Sequence, residues 1–248
     1  MVWWQPMTIG LEPGEPVHAF QVEMPAGPPV GARHYAALGE DRTGVVVVLA
    51  HGAGAGHQHP FMAGTGSVLA RRGLDVVTFN FPYAQAGRRV PDRVATLEGC
   101  FLAVIAAVRA RLAAPPAPLV IGGKSMGGRM ASHVAARHAD AAGPLAGLVF
   151  LGYPLHPPAS PERVRAAHLA LVRPPMLFVQ GERDPFGSPA ELAPILAAIG
   201  PRAELLAVPG GDHSLGVPTR GRLLEPRLAA VLDPVAAWVR AVVGCRAG

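Results

Sequence analysis

Lysine is almost absent from this chain: of its 22 basic residues, Lys124 is the only lysine. Charge of either sign is scarce, at 16% of 248 residues, and the net charge of +5 rests on arginine. The pairs Arg71-Arg72 and Arg88-Arg89 are scattered and lack aromatic neighbours, which argues against a nucleic-acid surface and leaves them as solvated faces. The two cysteines, Cys100 in an apolar helical pattern and Cys245 near the end, have no ligand-like spacing. That fits a reducing, cytoplasmic compartment better than a disulfide scaffold. No apolar run reaches spanning length without an arginine, and the opening "MVWWQPMTIGLEPGEP" has no basic segment leading into an apolar one. A soluble protein with no membrane partner is expected.

What is present is apolar bulk, 50% of the residues, enough for a sizeable core in a single domain over 1–248. Beyond the first forty or so residues, short apolar runs alternate with longer helical patterns, predicting a mostly parallel sheet with helices on both faces. Strands are expected at "VVVVLA", "LDVVTFNF", "PLVIGG", "GLVFLGY", "PMLFVQG" and "AELLAV". Helices are expected over Pro60–Arg72, Pro91–Leu112, Met126–His138, Ser188–Ile199 and Glu225–Val243. Within residues 1–40, Val17–Met24 and Arg33–Leu38 read as antiparallel edge strands. Only about twenty residues separate "GLVFLGY" from "PMLFVQG", too few for a large cap domain.

The stretch "VIGGKSMGGRMAS" invites two readings. A P-loop needs a glycine five residues before Gly123, where Pro118 stands, and the intervening residues are the strand itself, so no phosphate-wrapping loop exists. The alternative is Gly123-Lys124-Ser125-Met126-Gly127, a G-x-S-x-G sequence between a strand and a helix, the context of a nucleophile elbow. Gly123 and Gly127 remove Cβ atoms where strand and helix cross, so that Ser125 can take a strained conformation and expose Oγ. A serine that merely caps the helix is the plainer reading.

An elbow serine should be followed by an acid and then a histidine, each after a later strand. Asp184 follows "PMLFVQG" and His213 follows "AELLAV", with Glu182 and Asp212 as the alternative acids. The oxyanion of an acyl-transfer intermediate needs two donors: the N–H of Met126 is one, and the loop "LAHGAGAGH" offers Ala53 or Gly54 as the other. That loop fails the dinucleotide fingerprint, because His57 occupies its third glycine position. His51, His57 and His59 have flexible glycine spacing and no nearby acid, unlike a metal set. No cofactor or metal is called for; His51 is expected to orient the loop, with His57 and His59 lining the pocket or meeting solvent.

Lys124 beside the nucleophile either steers an anionic substrate, pairs with a buried acid, or snorkels to the surface. "NFPY" and "YPLHPP" follow strands at the same edge, giving Phe81, Tyr83, Tyr153 and His156 as further pocket-wall candidates.

Taken together, "HGAGAGHQHPFM", "GGKSMGGRMAS", "LGYPLHPP", "FVQGERDPFG" and "GGDHS" resemble the KANL/Tex-type α/β-hydrolases, a group similar to dienelactone hydrolases. The resemblance runs from about Val45 to the C-terminus and implies an eight-stranded α/β-hydrolase fold, with Ser125, Asp184 and His213 as nucleophile, acid and base. It implies a small-molecule ester or thioester substrate. Because the family includes subunits of assemblies, three readings stand: an esterase or thioesterase, a peptide or amide hydrolase, and a non-catalytic interaction module.

Overall fold

The structure, a computed structural model, describes residues 16–39, 42–112, 117–217 and 224–244. Cys245 and most of the opening stretch lie outside the described residues.

Apolar β-branched runs supply the sheet. Its strands are β1 (Val17–Val22), β2 (Val30–Tyr35), β3 (Val46–Ala50), β4 (Asp75–Phe79), β5 (Leu119–Lys124), β6 (Gly147–Leu151), β7 (Met176–Gly181) and β8 (Ala203–Val208). They lie in the order β1-β2-β4-β3-β5-β6-β7-β8. β1 pairs antiparallel with β2, and β2 antiparallel with β4; every other pairing is parallel. β2 begins three residues before the Arg33 that the pattern suggested, because Val30 and Gly31 extend the ladder against Val22 and Gln21.

β3 and the Val45 before it alternate between two apolar layers: Val46, Val48 and Ala50 face one, Val45, Val47 and Leu49 the other. Such two-sided burial is what an uninterrupted run of valines dictates in a parallel sheet. The first layer packs against α3 (Val94–Leu112), α4 (Met126–Arg137) and α6 (Pro189–Ile199), the second against α1 (Pro60–Ala70) and α7 (Leu224–Gly244). Two short helices, α2 (Pro82–Gln85) and α5 (Ala139–Ala142), complete the set among the described residues. In α3 the buried residues Leu97, Phe101, Val104, Ile105 and Val108 recur at helical spacing and form its inward stripe. This helix starts at Val94 rather than Pro91, because the Arg93 carbonyl is the first to accept, from Thr96 and Leu97 N–H. α6 starts with a reciprocal cap between Ser188 and Glu191 and has Pro189 in its first turn.

This is an α/β-hydrolase fold without a large cap. Between β6 and β7 the chain makes only a short excursion containing a 3₁₀ turn at Ala167–Leu171. Arg202 anchors the excursion through the carbonyls of Val172 and Ala170. None of the described helices is long and apolar enough to cross a membrane.

Candidate active site

Parallel pairing brings the carboxyl ends of β3, β5, β6, β7 and β8 to one edge of the sheet, where the loops that follow them converge. At the end of β5 the chain turns sharply into α4. Ser125 sits on that turn at φ 50°, ψ −118°, a region L-residues rarely occupy. Its N–H donates to the Leu151 carbonyl and its carbonyl accepts from Arg129 N–H, so strand and helix both hold the strained residue. The turn fits because of its glycines: a Cβ on Gly123 or Gly127 would lie 2.2 Å from the Ala50 carbonyl oxygen.

Ser125 Oγ lies 2.8 Å from His213 Nε2, and His213 Nδ1 lies 2.8 Å from Asp184 Oδ2 and 3.0 Å from Oδ1. The Asp184 side chain is fully buried, while that of His213 is 23% exposed, enough to meet a ligand. Both Asp184 oxygens also receive donors from elsewhere, Oδ1 from Phe186 N–H and Oδ2 from Gln180 Nε2, each at 2.9 Å. An acceptor-only carboxylate among these donors leaves His213 Nδ1 to donate and Nε2 to accept from Ser125.

The alternative acids hold the backbone instead. Asp212 Oδ1 accepts from Ser214 and Gly216 N–H, shaping the turn that presents His213, and Glu182 accepts from Gly210 N–H.

Gln180 escaped sequence reasoning. Fully buried, it accepts from Tyr153 N–H through Oε1 and donates through Nε2 to Asp184 and the Gly187 carbonyl. The signal was a lone polar residue in the strand "MLFVQG".

A second serine–histidine hydrogen bond joins Ser132 Oγ on α4 to His168 Nε2 in the 3₁₀ turn at 2.7 Å. Ser132 is fully buried and also donates to the Arg129 carbonyl at 2.7 Å. Its single proton has a helix carbonyl to occupy it, and it does not line the cavity.

A cavity of about 440 Å³ opens over Ser125 and is lined by Gly52, Ala53, Phe61, Met126, Phe186 and His213, among others. Met126 is the first residue of α4, so its N–H has no carbonyl within the helix to bond. Of the two loop candidates, Ala53 lines the cavity, whereas Gly54 makes the adjoining turn at φ 73° outside the lining.

Lys124 and His59 also line the cavity; His51, Phe81, Tyr83, Tyr153 and His156 do not. Phe81, Tyr83 and Tyr153 are fully buried in edge-to-face and stacked contacts, where their apolar rings are removed from water. His156 is buried against Glu191, with Nε2 at 3.1 Å. His51 is buried too and ties two loops together, Nδ1 donating to the Gly52 carbonyl and Nε2 accepting from Phe81 N–H. Burial holds His51 neutral, its pKa pushed down to about 4, and this preserves that donor–acceptor pattern. His57 is also buried, away from the cavity, its N–H donating to Asn80, and His59 caps α1 by accepting from Phe61 N–H. Among the described residues, no three His, Cys, Asp or Glu side chains are gathered to hold a metal.

The Lys124 ammonium is buried with no hydrogen-bond partner among the described residues. Desolvation lowers its pKa from 10.5 to about 8, against the opposing pull of Asp184 and Asp212. A depressed lysine destabilises the folded state below its folded pKa, and the penalty fades as pH rises from about 8 towards 10.5, where the unfolded chain still holds the proton. Lys124→Met is therefore expected to stabilise the protein at neutral pH by up to about 3 kcal/mol, or roughly 5–10 °C in Tm. Thermal unfolding of both proteins at pH 7 and pH 10 checks this: the gap should narrow at the higher pH.

Comparison with known proteins follows the same lines. A family model described as an alpha/beta hydrolase domain matches residues 43–240. A lidless serine hydrolase from Xanthomonas campestris superposes with a TM-score of 0.68 at 23% identity, covering 93% of this chain and 98% of its own. A dienelactone hydrolase from Anabaena variabilis gives 0.69 at 19% identity, covering 90% and 96%. The esterase domain of a Rhodothermus marinus protein gives 0.67 at 16% identity, covering 91% and 98%.

Proposed function

The chain belongs to the alpha/beta hydrolase domain family, and on that footing we propose that it is a serine hydrolase cleaving a carboxylic ester or thioester through an acyl-enzyme. One observation carries the reading: a strained serine lining a cavity, bonded to an imidazole whose other nitrogen meets a buried carboxylate.

Ser125 Oγ attacks the substrate carbonyl carbon while His213 Nε2 takes its proton. Asp184 holds the ring and stabilises the imidazolium. The oxyanion meets the N–H groups of Met126 and Ala53, each such donor typically worth roughly 3 kcal/mol. Collapse of the tetrahedral intermediate breaks the bond to the alcohol or thiol, which leaves with the proton from His213. Water then enters, gives a proton to His213 and attacks the acyl carbonyl; the acid departs as Ser125 regains its proton.

The absence of a large cap favours small or mid-sized soluble esters, and low cysteine content supports a cytoplasmic setting. The five ordered stretches quoted above support placement within the KANL/Tex-type subgroup.

A fluorophosphonate probe tests the reading. The expected result is one labelled peptide carrying the adduct on Ser125, and none in His213→Ala. Folded protein that stays unlabelled, or an adduct on Ser132, overturns it.

A further inference from the structure

The cavity over Ser125 is lined by three cationic side chains, Lys124, Arg129 and Arg165, together with His59 and His213. No aspartate or glutamate is among the described residues that line it. Two of the cations carry buried nitrogens without a hydrogen-bond partner among the described residues, Lys124 Nζ and Arg129 Nε. Arg129 and Arg165 repel one another, while the carboxylates that act on these cations, Glu98 on Arg129 and Asp184 and Asp212 on Lys124, all stand outside the cavity lining; like charges gathered at a partly buried wall are costly unless a counter-charge arrives there. Lys124 Nζ lies on the Asp184 side of the His213 ring: a Cβ built on Gly152 would lie 3.0 Å from it and 3.5 Å from His213 Nδ1.

Resting on the hydrolase reading, we propose that the substrate is anionic: an ester or thioester bearing a carboxylate, which the Lys124, Arg129 and Arg165 side chains draw into the cavity. The remaining lining is largely apolar, including Phe61, Met62, Pro154 and Phe186, and suits the hydrocarbon between the carboxylate and the scissile carbonyl. Arginine suits a carboxylate through its planar fork, and lysine adds a compact charge beside the nucleophile. The order of events on Ser125 is unchanged; the anion sets which ester is held there.

Two ester pairs that differ by one charge test this. In 4-nitrophenyl hydrogen adipate against 4-nitrophenyl hexanoate the charge is on the acyl group. In 4-acetoxybenzoate against its methyl ester it is on the leaving group. The wild type is expected to favour the anionic member of at least one pair by about tenfold or more in kcat/KM, chiefly through KM. Lys124→Met should collapse that preference severalfold, and Arg165→Gln, on the excursion, should do the same and serves if the first variant does not fold. Equal use of charged and neutral esters by the wild type, or a preference that survives both substitutions, overturns the proposal.

Should no ester be turned over and Ser125 stay unlabelled, binding of adipate to Ser125→Ala, followed by ligand-observed NMR, decides separately. Saturable binding removed by adding Arg165→Gln keeps the anion site while the hydrolase reading falls; no binding overturns the anion site as well.

Discussion

Asp184→Asn is expected to lower ester turnover about 10⁴-fold without unfolding the protein. The reason lies in what surrounds the carboxylate. Oδ1 accepts from Phe186 N–H and Oδ2 from Gln180 Nε2, and His213 Nδ1 is within 3.0 Å of both. An asparagine amide must set its NH₂ against one of these donors in either orientation. Gln180 cannot turn over to help, because its Oε1 is held by Tyr153 N–H and its Nε2 by the Gly187 carbonyl. The amide therefore presses His213 to present a lone pair at Nδ1, which moves the ring proton to Nε2. Ser125 then faces an N–H where it needs an acceptor. Steady-state kinetics on an aryl ester, with thermal unfolding alongside, checks this. A variant retaining a tenth or more of the activity would remove Asp184 from the proposed triad.

Gly127→Ala is expected to cost more than about 4 kcal/mol, at the extreme of single substitutions. The added Cβ would lie 2.2 Å from the Ala50 carbonyl oxygen, 2.5 Å from its carbon and 2.7 Å from the His51 oxygen. All three are backbone atoms at the end of β3, a central strand paired on both sides, and no rotamer change relieves the overlap. Gly99→Ala is the control. It lies within α3, where a Cβ meets nothing within 4 Å, and it should stabilise by roughly 0.5–1 kcal/mol. Denaturant unfolding of the pair is the measurement; similar midpoints for both would show that the elbow tolerates the crowding.

The parts of this molecule legible in its sequence are those set by local pattern. Valine runs marked the buried strands, and Gly-x-Ser-x-Gly between strand and helix marked the turn, because close backbone approach there admits no Cβ. Asp184 and His213 stand after strands of the parallel set, and parallel pairing of β3 to β8 sends those carboxyl ends to one edge. Side-chain direction was not legible in the same way. Phe81, Tyr83 and Tyr153 follow strands at that edge, yet their rings turn into the core, where aromatic neighbours receive them. Arg129 sits one helical turn beyond Ser125, and Arg165 lies in a segment without regular periodicity, so only tertiary packing reveals that they share a wall. Lys124 stood out by its rarity, but its burial depends on neighbours far away in the chain.

The missing cap has a kinetic consequence. A site that no domain closes over is entered and left without a hinge opening, so binding needs only diffusion to the mouth and the breaking of local contacts. Residence time is then set by the walls rather than by a cap, and an inhibitor that outlasts the substrate must gain its lifetime from a covalent bond or from those walls, since no large cap domain folds shut behind it.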